Sequence, residues 1–318
     1  VILFFNKEIF QGAAMTCTQH LQLVESVLSP GKQYSKLVSN IANSKTDIKP
    51  YYSDKFNTII NNDCLEVLAR LPDDSIDMIF ADPPYLLSND GFTCQNGRMV
   101  NVNKGKWDKS KGFENDEIFH NTWIQACKRV LKPEGTIWIS GTYHSIYQCG
   151  YLLQKNEFHM LNDIAWFKPN AAPNLSCRFF TASHETLLWA RKDKKAKHTF
   201  NYSDIKNGNF PEDKLKKENT QMRSVWSIPT TSGGEKEFGK HPTQKPLSLL
   251  KRIIIASTNE HDIILDPFNG GGTTGVASSL VGNRYYIGIE LDEMYCELTK
   301  NRLSNIFEIG DLPYARAK

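Results

Sequence analysis

The sequence predicts an α/β fold built on a doubly wound mixed sheet, from three observations. From about Phe56 onward, apolar stretches of strand length alternate with amphipathic stretches of helix length. Ile76-Asp-Met-Ile-Phe80 is mostly apolar, as an inner parallel strand covered on both faces must be. Three glycines, Gly270 to Gly272, fall between a strand and a helix, where open α/β sheets form ligand-binding turns.

Residues 1–50 form an N-terminal extension of uncertain role. Helices are expected near 20–28 and 34–43, with Pro30-Gly31 between them, and Met15 is an alternative start. Asn57–Asn61 reads as a strand and Cys64–Leu71 as a helix. Pro72-Asp-Asp-Ser75 turns the chain into strand Ile76–Phe80. Residues 86–115 lack a sustained period and are rich in Asn, Gly and Lys, so a long mobile loop is expected. A helix over Glu117–Val130 leads through a Lys132-Pro-Glu-Gly135 turn to a strand over Thr136–Ser140. Helix Ser145–Lys155 and strand Met160–Phe167 follow, with His184–Ala190 as hairpin partner. Residues 191–240 break the rhythm with interspersed basic and aromatic residues and read as an insertion with a wet surface. Pro246–Thr258 resumes as a helix, with proline at its start. Strand Ile263–Leu265, helix Thr273–Leu280, strand Tyr285–Ile289 and helix Asp292–Leu303 complete the chain.

With 318 residues the chain can bury a large core without metal or disulfide support. Its formal charge of +3 means that a polyanion must meet local basic patches rather than an overall positive field. Seven widely spaced cysteines, none in a C-x2-C pair, point to free thiols in a reducing, cytoplasmic setting and away from a zinc site. The apolar start Val1–Phe5 is too short for a signal h-region or a membrane span.

Two strand ends carry chemistry. Asp266-Pro-Phe-Asn-Gly-Gly-Gly-Thr273 lets a ligand approach bare backbone, and helix N-terminal amides follow. Glu290, ending the next strand, can accept two ribose hydroxyls. No Lys-Ser/Thr follows the glycines, so this is not a phosphate-binding Walker loop, and a purely structural turn is the plain alternative. Asp82-Pro-Pro-Tyr85 follows the other strand. Two prolines stiffen the backbone and leave carbonyls as acceptors. Asp82 and the Pro83 carbonyl can each accept one N–H of an exocyclic amine while Tyr85 stacks on the ring. A rigid turn packed on its own strand is the plain alternative here.

Residues 82–85 resemble the catalytic motif of amino-group DNA methyltransferases, and residues 266–272 resemble that family's cofactor loop. His241-Pro-Thr-Gln-Lys-Pro246 is similar to the element preceding that loop. With the catalytic motif first and the cofactor loop last, the order resembles the permuted beta group, over about residues 56–305. Phe80–Asn89, Lys104-Gly-Lys-Trp-Asp108, Ala172–Cys177 and Leu188-Trp-Ala-Arg191 look like the Dpn-type branch, GATC-specific adenine-N6 methyltransferases that also accept single strands.

The resemblance implies a Rossmann-like fold that uses S-adenosyl-L-methionine and no metal. It splits one domain into a catalytic half, 51–190, and a cofactor half, 241–318, around a target-recognition or DNA-contacting insertion, 191–240. It implies duplex and single-stranded DNA as substrate, a homodimer, and a cognate restriction endonuclease. Asp82, Pro83, Pro84 and Tyr85 are then catalytic. Glu290 would hold the ribose, and Phe268, Gly270, Gly272 and Thr273 would border the methionine part. Asp266 would hold the loop or the amino group, and Lys245 would orient the preceding segment. His241, Thr243 and Gln244 are weaker candidates. Asp63 resembles a cofactor-adenine neighbour, although capping helix 64–71 serves it equally well.

For DNA, Arg98, Lys104, Lys106 and Lys109 suit phosphate contacts, and Trp107 could pack over a flipped base or simply anchor its loop. Arg178, Arg191, Lys195, Lys197 and Arg223 could form a second patch. A solvated face is the alternative for each of these cations. Three other activities remain open. Cytosine-N4 methylation poses nearly the same chemical demand, RNA or protein-glutamine methylation is a second option, and a DNA-binding module without catalysis is a third.

Overall fold

The computed structural model describes residues 29–42, 48–85, 92–95, 98–101, 108–208, 210, 217 and 220–306. The helix expected at 20–28 and Met15 lie outside them.

Helix α1, Pro30–Ala42, precedes strands β1, Pro50–Ser53, and β2, Asn57–Asn61. Pro30 is the first helical residue rather than a break, because its missing N–H costs nothing in the first turn. Short helix α2, Cys64–Leu68, leads to β3, Ile76–Ala81. Strands β4, Phe92–Gln95, and β5, Arg98–Asn101, pair as an antiparallel ribbon inside the stretch expected to be loop. The signal overlooked there was Asn96-Gly97, the two residues between Gln95 and Arg98, a favoured two-residue hairpin connection.

Helix α3, Phe113–Val130, runs into β6, Leu131–Gly141. Lys132-Pro-Glu-Gly135 is not a separate turn. Leu131 already pairs with Ile76, and the register then jumps to Thr136 opposite Met78, so those residues bulge out of one long strand. Helix α4, Ile146–Lys155, is followed by the antiparallel pair β7, His159–Phe167, and β8, His184–Arg191, as expected. Within the expected insertion, helix α5, Tyr202–Asn207, packs on the helix that follows, and strand β9, Val225–Ser227, pairs with β7. Helix α6, Leu247–Ser257, strand β10, Ile263–Asp266, helix α7, Thr273–Val281, strand β11, Tyr285–Glu290, and helix α8, Glu293–Ser304, complete the fold.

The main sheet has nine strands in the order β1-β2-β11-β10-β3-β6-β8-β7-β9. From β2 through β6 neighbours are parallel; β1 and β8 run against them. Alternation along β3 shows why it is apolar throughout. Ile79 and Ala81 face one core with α1 to α4, while Met78 and Phe80 face the other with α6 to α8. Trp138 and Trp189 stack at 4.8 Å within the second core. Five described cysteines, Cys64, Cys127, Cys149, Cys177 and Cys296, are free. Among the described residues no helix is long and apolar enough to cross a membrane.

The topology fixes where a ligand can go. The chain leaves β3 for its neighbour β6 and leaves β10 for β11 on the other side. The two crossovers therefore part between β3 and β10, and the crevice beyond their carboxyl ends is the natural binding site of such a sheet.

Candidate active site

Asp82-Pro-Pro-Tyr85 leaves the end of β3, and Asp266 ends the adjacent β10. The two motifs, far apart in sequence, line one cavity of about 760 Å³. That lies within the roughly 300–1,000 Å³ of small-molecule sites.

The glycine turn is held from several sides. Asp266, 2% exposed, accepts the Phe268 N–H at 3.0 Å and the Thr274 hydroxyl at 2.6 Å. Burial pushes its carboxyl up to about 7. Gly270 has a φ of +51°, and its N–H donates to Glu290 at 2.7 Å. The other Glu290 oxygen accepts the Asp292 N–H at 2.9 Å, while burial raises its pKa. Gly272 has a φ of +73° and forms the N-terminal boundary of α7. A Cβ there would lie 2.6 Å from Thr299 Oγ1 and 2.9 Å from Thr299 Cβ. Gly272 does not line the cavity. Its bareness admits α8. Phe268 turns its ring edge-on to Trp123 at 5.3 Å.

Across the cavity, Asp82 belongs to a buried network of charges. The Tyr85 hydroxyl donates to Asp82 Oδ1 at 2.6 Å, and the Lys245 ammonium bonds to Oδ2. Lys245 Nζ also lies 3.8 Å from Glu185 and 5.0 Å from the Tyr85 ring centre. Glu185 Oε2 lies 3.0 Å from the Tyr85 hydroxyl, and Oε1 accepts from Lys168 at 2.5 Å. Ser140 Oγ is 3.1 Å from the same hydroxyl. Burial raises the Asp82 pKa, with Lys245 pulling against it. Burial alone would raise Glu185, but Lys245 and Lys168 bring it below the ordinary value. Lys245 is raised because Asp82 and Glu185 outweigh its desolvation. Tyr85, 6% exposed, is thus a wall of the cavity with its hydroxyl engaged.

Pro83, Pro84, Asp63, His241, Thr243, Gln244, Lys245, Phe268, Gly270, Thr273 and Glu290 all line the cavity. Asp63 also caps α2, accepting the Leu65 N–H at 2.8 Å. His241 sits edge-on to Tyr295 at 4.3 Å, and its ring packs against Gly270. Gln244 donates to the Glu235 carbonyl at 3.0 Å, while its buried Oε1 has no partner. Glu235 also accepts the Leu247 N–H at 2.8 Å, fixing the entry of 241–246 into α6. Glu185, Lys168, Ser140 and Glu235 escaped the sequence reading.

The basic candidates divide by position. Arg178 is exposed in the 168–183 connection, which joins β7 to β8 at the cavity end of the sheet. Beside it Phe179 and Phe180 are 68% and 96% exposed. Lys109 is exposed next to Asp108, which lines the cavity. Arg191, Lys195 and Lys197 lie elsewhere. β8 runs against β6, so its end at Arg191 pairs with Thr136, and the following lysines emerge at the far end of the sheet. They cannot form one patch with Arg178. Arg223 is exposed just before edge strand β9. Arg98 lies on β5, whose backbone alone is described; Lys104, Lys106 and Trp107 lie outside the described residues.

Comparison with known proteins agrees with this geometry. A family model described as DNA methylase, N6_N4_Mtase, matches residues 76–301. The chain is 49% identical over 256 residues to the Type II methyltransferase M2.DpnII of Streptococcus pneumoniae, covering 80% of this chain and 92% of that one. It is 48% identical over 261 residues to M2.MboI of Moraxella bovis, covering 81% and 92%. The solved M1.HpyAVI–SAM complex superposes with a TM-score of 0.56 at 30% identity, covering 78% of this chain and 99% of that one. The cytosine-N4-specific PvuII DNA methyltransferase shares the fold, with a TM-score of 0.63 at 18% identity over 85% and 96% of the two chains.

Proposed function

We infer the reaction from one premise: the chain belongs to the N6_N4_Mtase family of DNA methylases. We propose that it transfers a methyl group from S-adenosyl-L-methionine to N6 of adenine in GATC. Its role would be the modification arm of a restriction–modification system, on duplex DNA and on single strands. The observation that carries the reading is that Asp82 and the Gly270 turn, from adjacent strand ends, line a single cavity.

The residues present fit the proposed cofactor. Buried Gln244 Oε1, an acceptor with no partner, lines the cavity and suits an ammonium group. Glu290, at the end of β11, suits ribose hydroxyls, and Phe268 offers an apolar wall. When bound, S-adenosyl-L-methionine supplies an electrophilic methyl on a good sulfonium leaving group.

The protein's own part is alignment and charge. A target base must leave its stack to reach a cavity of this depth. Asp82 accepts one N–H of the exocyclic amine and the Pro83 carbonyl accepts the other. The lone pair then localises on nitrogen instead of conjugating with the ring. As positive charge develops there, the two fixed acceptors stabilise it. Asp82, made more basic by burial, takes the proton that the amine must lose. Arg178, exposed in the connection at the cavity end of the sheet, would meet a phosphate. The likeness to M2.DpnII and M2.MboI over most of their lengths supports the GATC reading, while transfer to single strands rests on the motif resemblance alone.

Single-molecule sequencing of DNA treated with purified protein and cofactor tests the reading. We expect N6-methyladenine confined to GATC, with oligonucleotide assays showing transfer to single strands as well. N4-methylcytosine in its place, or methylation without GATC context, would overturn the proposed base or site respectively.

A further inference from the structure

The mechanism leaves unused a buried acid beside Asp82. Glu185, the second residue of β8 and a hundred residues from Tyr85, contacts both hydrogen-bond partners of Asp82, Tyr85 and Lys245. Its side chain is 10% exposed. It accepts from Lys168 just beyond β7, lies 3.8 Å from Lys245 before α6, and meets the Tyr85 hydroxyl after β3. Ser140 on β6 reaches it at 3.5 Å.

We propose that Glu185 is a positioning residue for Asp82, a fixed buried anion that shares Lys245 and aims the Tyr85 hydroxyl, so that Asp82 stays a strong acceptor for the amine. The claim deepens the proposed methyl transfer and rests on it.

The reasoning concerns how one ammonium is divided. With Lys245 bound to Asp82 alone, the carboxylate would be neutralised and become a poor acceptor. Glu185 draws part of that charge to itself and repels a second negative charge at Asp82. Lys168 compensates Glu185 from the far side, so the pair of acids does not sit in the interior with one cation between them. The remaining charged neighbour is Asp266 at the end of β10, which acts on Lys245 and feels Asp82. Tyr85 keeps its proton, since burial and both acids raise its pKa far above ordinary. Its hydroxyl therefore works as a donor throughout the accessible pH range. A proton arriving on Asp82 also remains there, because Glu185 is held below its ordinary pKa and is the weaker base.

The test is the pH profile of single-turnover methyl transfer, from about pH 5 to about pH 9, in variants that change charge but little shape. Glu185→Gln releases Lys245 fully to Asp82. The acid limb should move to lower pH and the plateau rate should fall about 10- to 100-fold, less than the roughly 10²–10³-fold for losing a direct transition-state hydrogen bond. Glu185→Asp should return the limb toward wild type. Lys168→Met removes the compensating cation and should move the limb the opposite way, to higher pH. It carries the test if Glu185→Gln does not fold. Limbs that stay put in both variants, or shift in the same direction, would overturn the proposal. Wild-type protein that methylates cytosine N4 would refute the proposed base while leaving this pH test intact.

Discussion

Replacing Gly272 by alanine isolates a structural demand of the glycine turn. Gly272 sits at φ +73°, ψ +23°, a left-handed conformation that costs a residue with a Cβ roughly 1–2 kcal/mol. The new methyl would also lie 2.6 Å from Thr299 Oγ1 and 2.9 Å from Thr299 Cβ, with Cγ2 closer still. Thr299 has little room to yield. Its hydroxyl accepts from Asn269 at 2.8 Å and donates to the Tyr295 carbonyl at 2.9 Å, and the side chain is fully buried. Overpacking of this kind costs about 1–3 kcal/mol. The reduced freedom of the unfolded chain returns about 0.4–1 kcal/mol. The net expected loss is about 1–4.5 kcal/mol, or a urea midpoint lower by about 0.5–2 M at a slope of about 2 kcal/mol/M. Thr299→Ser removes the nearest methyl while keeping the hydroxyl bonds. The double variant should therefore be more stable than the sum of the singles by about 0.5–2 kcal/mol. A Gly272→Ala midpoint equal to wild type, or strict additivity with Thr299→Ser, would refute the packing argument.

Other expectations follow from the same geometry. Glu290→Gln should raise the cofactor dissociation constant about tenfold or more in calorimetry while the saturated transfer rate changes less, the pattern of lost binding rather than lost chemistry. Asp266 has an ordinary pKa of 3.8 and sits at about 7 in the fold, so between those values the native state holds a proton that the unfolded chain releases. Stability should fall as pH rises through that window, and Asp266→Asn should flatten the slope in urea titrations. Arg178→Ala should weaken DNA binding evenly across sequences and reduce the salt slope of binding by about one. An unchanged slope would move DNA away from the 168–183 connection.

The strand ends were legible because they are local. Ile76–Phe80 into Asp82, and Ile263–Leu265 into the glycines, each combine a buried strand with an abrupt change of residue type, and both proved to be neighbours in the sheet. What the sequence concealed is long-range. Glu185 and Lys168 are unremarkable acid and base in their own segments; the β7–β8 pairing joins them, and the order β3-β6-β8 brings Glu185 beside Asp82. Charge counts carry no direction, so the sequence could not show that the antiparallel β8 sends the basic run after Arg191 to the end of the sheet away from the cavity. Lys132-Pro-Glu-Gly135 has turn composition, yet β3 pairs on both sides of it and absorbs it as a bulge. Gly272 looked open to a ligand, although its neighbour is Thr299 from a helix that follows it in sequence.

The account's central claim, that Asp82 acts on an amine presented to the cofactor's methyl, is tested most directly by mass-spectrometric counting of N6-methyladenine in GATC-containing DNA. The comparison is wild type against Asp82→Ala, both saturated with S-adenosyl-L-methionine and both confirmed folded. The account predicts N6-methyladenine at GATC with wild type and background levels with Asp82→Ala, although both proteins bind the cofactor. Comparable yields from the two proteins would contradict it.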